Sequence, residues 1–224
     1  MSEKYLSIIT NFGCHGKCPY CIVRENGIKV PKTTLYGLDN LVKALKETSS
    51  NIISISGGGD PLHEYEKHVD WYRKLFSIVN NYHVNCATYS IPVEMHTSYM
   101  TDESTFPFYD CKRVVYHLNT FEQLKYIHRT GNEIVRVVYV VTEDFTFETI
   151  MNIALFVSQS KDIDELSFRQ LVKPDYETTD YWQDFLELGH KKLWYYIKQC
   201  DYNDYYAENK IYHRFSDIGK EVES

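Results

Sequence analysis

Three cysteines near the start of the chain have the type and spacing of residues that do chemistry. Cys14, Cys18 and Cys21 follow a C-x3-C-x2-C pattern directly after the apolar run Tyr5–Thr10, which we predict to be a β-strand. Three thiolates at this spacing can bind three irons of one [4Fe–4S] cluster. No fourth cysteine lies nearby in the sequence, so one iron would keep an open site for catalysis. The pattern therefore predicts a catalytic iron–sulfur centre.

Two other interpretations of these cysteines are weaker. A closed structural zinc site takes four ligands, and the fourth would have to be His15, which is poorly placed because it directly follows Cys14. Disulfides require an oxidising compartment, and the first residues lack the character of a signal peptide. The scattered Cys86, Cys111 and Cys200 are interpreted as buried free thiols.

A second motif follows a second predicted strand. The run Asn51–Ser56 leads directly into Gly57-Gly58-Gly59-Asp60-Pro61. Such glycines alone indicate only a tight turn. Together, however, the two loops resemble those of the radical S-adenosylmethionine (radical SAM) superfamily, which has a C-x3-C-Φ-C loop after its first strand and a Gly-Gly-Glu-Pro-like turn after its second. Tyr20 occupies the Φ position, and Asp60 replaces the commoner glutamate.

The resemblance implies roles for the residues of both loops. Cys14, Cys18 and Cys21 would bind the cluster, and Tyr20 would lie near the adenine of SAM. The turn would receive the SAM ammonium group on its backbone, and glycine suits a backbone that a ligand approaches closely. The residues of that turn are Gly58, Gly59 and Asp60.

Later strands offer further candidates for contact with SAM or substrate. The sequence does not decide between His117 and Asn119 on the fourth strand, nor which of Arg169 and Gln170 points inward on the sixth, since side chains alternate along a strand. Val138 stands where relatives often have an inward asparagine. The candidates are Thr88 and Ser90 after the third strand, Asn119 after the fourth and Arg169 on the sixth.

Length and composition favour a globular fold and weaken some classes of function. The chain has 224 residues, of which 43% are hydrophobic, and a formal net charge of −7. Nucleic-acid-binding domains usually present a basic surface, so the charge argues mildly against a nucleic-acid substrate. No apolar run approaches the roughly 20 residues of a membrane span. We therefore expect a cytoplasmic protein that acts on a small molecule or nucleotide.

Strand-like and helix-like segments alternate along the chain, which is typical of βα units around a parallel sheet. The resemblance implies a partial (β/α)6 TIM-like barrel over residues 1–174. Residues 175–224, rich in aromatic side chains, are predicted to form a C-terminal helical extension packed on the barrel in the same domain. The six predicted strands are Tyr5–Thr10, Ile52–Ser56, Val84–Tyr89, Arg113–Leu118, Ile134–Val141 and Leu166–Leu171.

The family resemblance leaves the substrate open. The region Arg136–Pro174 is similar to the molybdenum-cofactor cyclase group, but that group's C-terminal cluster is missing. An alternative is a glycyl-radical activase that acts on a partner protein, because the segment Ser56–His63 resembles the activase of anaerobic ribonucleotide reductase. Compact deazapurine-forming relatives are a third possibility, and a simple electron carrier a fourth. Without a second cluster, the resemblance implies an external electron donor such as flavodoxin or ferredoxin.

Overall fold

The computed structural model describes residues 3–16, 18–84, 87–100, 106–131, 133–199 and 203–220, without the side chains of residues 83–88 and 109. Cys86 and Cys200 therefore lie outside the description. The strands of the described residues are β1 (Tyr5–Thr10), β2 (Ile52–Gly57), β3 (Tyr82–Val84), β4 (Ala87–Tyr89), β5 (Val93–Thr97), β6 (Arg113–Leu118), β7 (Ile134–Val141), β8 (Glu165–Gln170), β9 (Tyr195–Ile197), β10 (Asp204–Ala207) and β11 (Lys210–Tyr212).

Helices connect most of these strands. The α-helices are α1 (Ile22–Glu25), α2 (Leu41–Thr48), α3 (Val69–Asn80), α4 (Phe147–Gln159) and α5 (Gln183–Gly189). Short 3-10 helices cover Leu35–Leu38, Tyr65–Lys67, Pro107–Asp110, Phe121–Tyr126, Pro174–Tyr176 and Phe215–Asp217. None of the helices in the described part of the chain is long and apolar enough to cross a membrane.

A mostly parallel sheet forms the centre of the fold. In the described residues it has nine strands in the order β11-β10-β1-β2-β5-β6-β7-β8-β9, and only the β10–β11 pair is antiparallel. The prediction of a mixed α/β fold around a parallel sheet is thereby confirmed. Because side chains alternate along each strand, the sheet has one face of apolar residues, such as Ile53, Val137 and Phe168, which pack into the core with α3 and α4.

The predicted third strand was wrong. The described residues of the predicted range, 84 and 87–89, contribute instead to a separate antiparallel pair, β3 and β4, and the third strand of the parallel sheet is β5, between β2 and β6. Its sequence Val93-Glu94-Met95-His96-Thr97 is buried at every position. Glu94 and His96 hide the strand from a prediction based on apolar runs, because buried polar and charged side chains are uncommon unless they are paired.

The prediction of a helical C-terminal extension was also wrong in part. Only α5 is an α-helix among the described residues beyond 174, and three strands accompany it. β9 joins the sheet beside β8, whereas β10 and β11 join it beside β1. The Glu208 carboxylate, at the turn between β10 and β11, accepts hydrogen bonds from Thr34 and so holds the segment that follows the cysteine loop.

Candidate functional site

The carboxyl ends of β1, β2, β5 and β6 meet at one edge of the sheet and carry the loops of interest. In parallel α/β sheets, ligands bind outside the carboxyl ends of the strands. The cysteine loop follows β1, the glycine turn follows β2, Ser98 follows β5, and Asn119 follows β6. The register places Thr10 beside Gly57 and Thr97 beside Tyr116, so these loops leave the sheet at similar heights.

The three cysteines of the loop are free thiols, partly or largely accessible to solvent. A Cβ atom built on Gly16 would lie 3.7 Å from the Cys14 Sγ and 3.8 Å from the Cys18 Sγ, so these two sulfurs face a common point. Burial raises the pKa of Cys18, and the charges of Cys14 and Cys21 raise it further. All three thiols are therefore close enough to interact electrostatically.

This donor set fits a cluster better than a single ion. Among the described residues, no three His, Cys, Asp or Glu side chains are arranged to hold one metal ion. A cluster requires a different arrangement, because each thiolate binds a separate iron. The space at Gly16 is faced by the Cys14 and Cys18 sulfurs and also by the Ser98 hydroxyl, whose oxygen would lie 3.8 Å from a Cβ atom at that position. Cys14, Cys18 and Cys21 therefore have the donor chemistry that a [4Fe–4S] cluster requires, and burial raises the pKa of Cys18.

Helix α1 begins directly after the third cysteine, and Cys21 is its N-cap residue. Arg24 on this helix donates a hydrogen bond from Nη2 to the Cys18 carbonyl oxygen at 2.6 Å. This contact ties the middle cysteine to the helix and places a positive charge beside a group of thiols. The sequence analysis did not single out Arg24, although it lies about one helical turn after Cys21 on α1.

Asn119 links the cysteine loop to the end of β6. Its side-chain oxygen accepts a hydrogen bond from the Tyr20 hydroxyl, and its Nδ2 lies 4.0 Å from the Cys18 Sγ. The Gln123 side chain accepts hydrogen bonds from the backbone amides of Asn119 and Thr120, which fixes this corner. The structure therefore brings Asn119 to Cys18 and Tyr20, which lie about a hundred positions earlier in the sequence.

The glycine turn packs directly against the cysteine loop. The Asp60 amide donates to the Gly13 carbonyl oxygen at 2.8 Å, and the Gly58 amide donates to the Thr10 carbonyl oxygen at 2.7 Å. A Cβ atom on Gly59 would lie only 2.1 Å from the Gly13 oxygen. The glycine at position 59 is therefore required by the approach of one loop to the other, whatever ligand the turn also binds.

Asp60 anchors the turn to the end of β5. Its buried carboxylate accepts hydrogen bonds from the Thr97 hydroxyl at 2.8 Å, from the Ser98 amide at 2.7 Å and from the Ser98 hydroxyl at 2.8 Å. It also accepts one from the Leu62 amide at 3.0 Å. His15 lies at the outer side, with its Nδ1 4.0 Å from one carboxylate oxygen. Asp60 thus joins three loops rather than presenting a free carboxylate.

Thr88 and Ser90 were predicted to follow the third strand of the parallel sheet. They do not follow it, because that strand is β5. Ser90 lies near the end of α3, where its hydroxyl contacts the Asn80 side chain at 3.1 Å, and it is away from the cysteine loop. The side chain of Thr88 lies outside the described residues. The pattern of Thr and Ser after strand three does occur, but at Thr97 and Ser98.

On β8 the structure distinguishes Arg169 from Gln170. Gln170 points toward the C-terminal segment, where it contacts Asp180 and Gln183 and accepts a hydrogen bond from the Gln199 amide at 3.0 Å. Arg169 lies on the opposite face, and its positive charge contributes to lowering the pKa of His117. Of the two, Arg169 is therefore the residue that faces the ends of β5 and β6.

Comparisons with known proteins identify the fold but not the family. No protein-family model matches the chain, and no curated protein matches it. Among solved structures, the fold is similar to that of SuiB from Streptococcus suis bound to S-adenosylmethionine, with a TM-score of 0.58 and 16% sequence identity. The similarity covers 89% of this chain and 48% of the SuiB chain, so the chain spans about half the length of that protein. It shares the fold of a protein that binds SAM.

Proposed function

We propose that this protein is a radical SAM enzyme. Cys14, Cys18 and Cys21 would hold a [4Fe–4S] cluster, and the adjoining edge of the sheet would bind SAM. When bound together, the reduced cluster and SAM supply a 5′-deoxyadenosyl radical, which abstracts a hydrogen atom from the substrate. One observation carries the proposal: the cysteine loop and the Gly58–Asp60 turn are hydrogen-bonded to each other at the carboxyl edge of a parallel sheet whose fold resembles that of a SAM-bound protein.

The chain's own residues would position and shield the reactants. Protein groups supply binding and orientation in cofactor enzymes, while the cofactor supplies the difficult chemistry. Asn119 and Tyr20 hold the outer side of the cysteine loop, and Asp60 holds the glycine turn against β5. The proposal includes a partial (β/α)6 arrangement of the sheet, a small-molecule or nucleotide substrate, an external flavodoxin-like or ferredoxin-like electron donor and a cytoplasmic location.

The test is an anaerobic assay of SAM cleavage. The protein is reconstituted with iron and sulfide, reduced with dithionite and mixed with SAM, and 5′-deoxyadenosine is measured. We expect product from the natural chain and none from Cys18→Ala, because the cluster loses a ligand. Cys111→Ala is the matched control, since Cys111 is a buried free thiol whose Sγ contacts the Pro107 carbonyl oxygen, away from the loop. Equal cleavage by the Cys18→Ala and natural proteins would refute the assignment.

A further inference from the structure

The polar face of the sheet carries a hydrogen-bonded chain that ends near the candidate site. Glu94 and His96 lie on β5, and His117 lies on β6, one residue before the end of that strand. The His96 Nε2 is 2.7 Å from the Glu94 Oε1, and the His96 Nδ1 is 2.8 Å from the His117 Nε2. The chain therefore runs from a buried carboxylate toward the carboxyl ends of the strands.

The charge of Glu94, at one end of this series of hydrogen bonds, determines which ring nitrogen of His96 carries a proton. The second oxygen of Glu94 accepts a hydrogen bond from the Arg113 Nη1 at 2.8 Å. Although burial alone would raise the pKa of Glu94, the hydrogen bonds from His96 and Arg113 and the charge of Arg113 hold it well below the usual range. An ionised carboxylate only accepts hydrogen bonds, so the His96 Nε2 must carry the proton that it donates.

The same reasoning extends to His117. Burial lowers the pKa of His96, which leaves its ring neutral and its Nδ1 an acceptor. The His117 Nε2 must then carry a proton and donate it to that acceptor. Burial, the neighbouring His96 and the charge of Arg169 lower the pKa of His117 as well, so its ring is also neutral. The geometry thus leaves a lone pair on the His117 Nδ1.

Several polar groups on this face of the sheet lack partners among the described residues. No described residue donates a hydrogen bond to the His117 Nδ1. Ser167 lies on the same face, two strands away across Val138; it is fully buried, and its hydroxyl has no partner among the described residues. The Nε of Arg169, two residues further along β8, is buried and likewise has no such partner. Buried polar groups are nearly always hydrogen-bonded in proteins, so these atoms are free to bond with a ligand or an ordered water.

We propose that His117 is a specificity-determining residue whose Nδ1 accepts a hydrogen bond from a hydroxyl or N–H group of the substrate, while Arg169 binds an anionic group of the same molecule. The substrate class is therefore a small carboxylate or phosphate ester that bears a neighbouring hydroxyl or amino group. This inference deepens the proposed function and rests on it for the location of the substrate. Glu94 and His96 are positioning residues, since they act through the tautomer of His117.

The first experiment measures the tautomers and needs neither iron nor SAM. In 15N-histidine-labelled protein at pH 7, long-range 1H–15N correlation spectra distinguish a protonated ring nitrogen from an unprotonated one. We expect His117 to be protonated at Nε2 and unprotonated at Nδ1. The variants His117→Phe and His96→Phe assign the resonances. A proton on the His117 Nδ1, or on both of its ring nitrogens, in the natural protein would overturn the proposal.

Glu94→Gln provides a stringent version of the same measurement. Arg113 can only donate, so the glutamine oxygen must face Arg113 and its NH2 group must face the His96 Nε2. Both histidines would then change tautomer, and the His117 Nδ1 would become a donor. If the Glu94, His96 and His117 hydrogen bonds had only a structural role, Glu94→Gln would lower stability without changing the tautomer of either histidine. An unchanged His117 tautomer in a folded Glu94→Gln protein would show that the carboxylate does not determine it.

The second experiment tests the ligand class with matched pairs of small anions. Glycolate is compared with acetate, and glycerol 3-phosphate with propyl phosphate, so that each pair differs in its hydroxyl groups. We expect the hydroxylated member of one pair to shift the His117 Nδ1 resonance and to bind roughly tenfold more weakly to His117→Phe, which is the order of one lost hydrogen bond. The responding pair identifies the anion as carboxylate or phosphate.

Two results of the titration would contradict the ligand class. One is an equal response to both members of each pair, and the other is no response to any of the four anions. Neither result depends on SAM cleavage. If the radical SAM assignment fails in the 5′-deoxyadenosine assay, these spectra still report on His117; if only the ligand class is wrong, SAM cleavage is unaffected.

Discussion

At the amino-terminal ends of β5 to β8, the charged groups of the polar face pair with one another. Arg113 lies between the carboxylates of Glu94 and Glu165, at 2.8 and 3.2 Å, and Arg136 lies 2.6 Å from Glu165. Further along the same strands, the His117 Nδ1 and the Ser167 hydroxyl have no protein partner in the described part of the chain. One face of one sheet thus has an ion-paired end, which we call the satisfied end although the Arg113 Nε contacts Glu165 without forming a hydrogen bond, and an unsatisfied end.

This difference separates stabilising groups from groups available to a ligand. A buried ion-pair network that is internally satisfied leaves no capacity for another molecule, and removing one member leaves a buried charge without its partner. An unsatisfied polar group costs folding free energy, and in native proteins it calls for an explanation such as a ligand or ordered water. Substitutions at the two ends should therefore have different consequences.

The largest expected effect on stability comes from the satisfied end. Arg113→Met should lower the free energy of unfolding by about 3 kcal/mol, because Glu94 would remain buried with one of its charged partners removed. Urea denaturation measures this value. The control is Arg73→Met, whose pair with Asp70 is exposed to solvent and should contribute less than about 1 kcal/mol. Similar losses in both variants would mean that the buried network is not a major source of stability.

A somewhat smaller loss should follow from crowding the contact between the two loops. In Gly59→Ala the new Cβ would lie 2.1 Å from the Gly13 carbonyl oxygen, and overpacking of this kind costs about 1–3 kcal/mol. Because the cysteine loop must move, iron bound after reconstitution should also fall. Gly27→Ala is the control for iron content: its Cβ would meet nothing within 4 Å, so although its φ of +61° costs about 1–2 kcal/mol of backbone strain with alanine, bound iron should be unchanged. Full iron content in Gly59→Ala would show that the loops are independent.

The neutral histidines at the unsatisfied end predict a dependence of stability on pH. The pKa values of His96 and His117 are lowered in the folded protein, so below about pH 6.5 the unfolded chain binds protons that the folded chain does not. Stability is therefore complete above that pH and falls as the pH decreases, by at most about 1.4 kcal/mol per pH unit for each histidine.

Urea midpoints between pH 7.5 and about pH 5, bracketing the usual histidine range, measure this dependence. His117→Phe should reduce the slope, because one of the two histidines no longer titrates. His128→Phe, which replaces an exposed histidine, is the matched control and should leave the slope unchanged. If both substitutions reduced the slope equally, the buried pair would not be its source.

The smallest expected effect is that of Asn119→Ala. Asn119 is exposed and its side chain accepts one hydrogen bond from Tyr20, so the loss of stability should be about 0.5–1 kcal/mol. The cysteine loop would lose its tie to β6, and we expect faster loss of iron to a chelator from the reconstituted protein. Asn81→Ala, which removes an exposed local contact to Ser77, should not change that rate. Equal rates in the two variants would argue against the role of Asn119 as a tie.

Local patterns predicted much of the parallel sheet. Five of the six predicted strands lie within one residue of β1, β2, β6, β7 and β8 at either end, because buried parallel strands consist of continuous apolar runs. The strand β5 was missed since Glu94 and His96 interrupt such a run. The Glu94 charge and the His96 ring are tolerated there because Arg113, on the neighbouring strand, and His117 supply partners, and these partners are distant in sequence.

The roles of individual residues were less predictable than their positions. The spacing of Cys14, Cys18 and Cys21 alone indicates a metal-binding loop, because thiolate ligands must be close together. The glycines of the turn were expected to admit a ligand, whereas the structure shows that Gly59 also admits the Gly13 carbonyl. The turn that includes Asp60 was expected to contact SAM through its backbone, and the structure shows in addition that the Asp60 carboxylate holds this turn through Thr97, Ser98 and Leu62.

What the sequence determined by itself is therefore local: the cysteine spacing, the glycine turn and the alternation of strands and helices depend on neighbouring residues. The tertiary structure alone decided which strand lies between β2 and β6, that Arg169 and Gln170 lie on opposite faces of β8, and which histidines are hydrogen-bonded to each other. These properties arise from contacts between residues about 20 to 100 positions apart, such as His96 with His117 and Tyr20 with Asn119. Hydrogen bonds of that kind depend on the register of the sheet, which no single segment encodes.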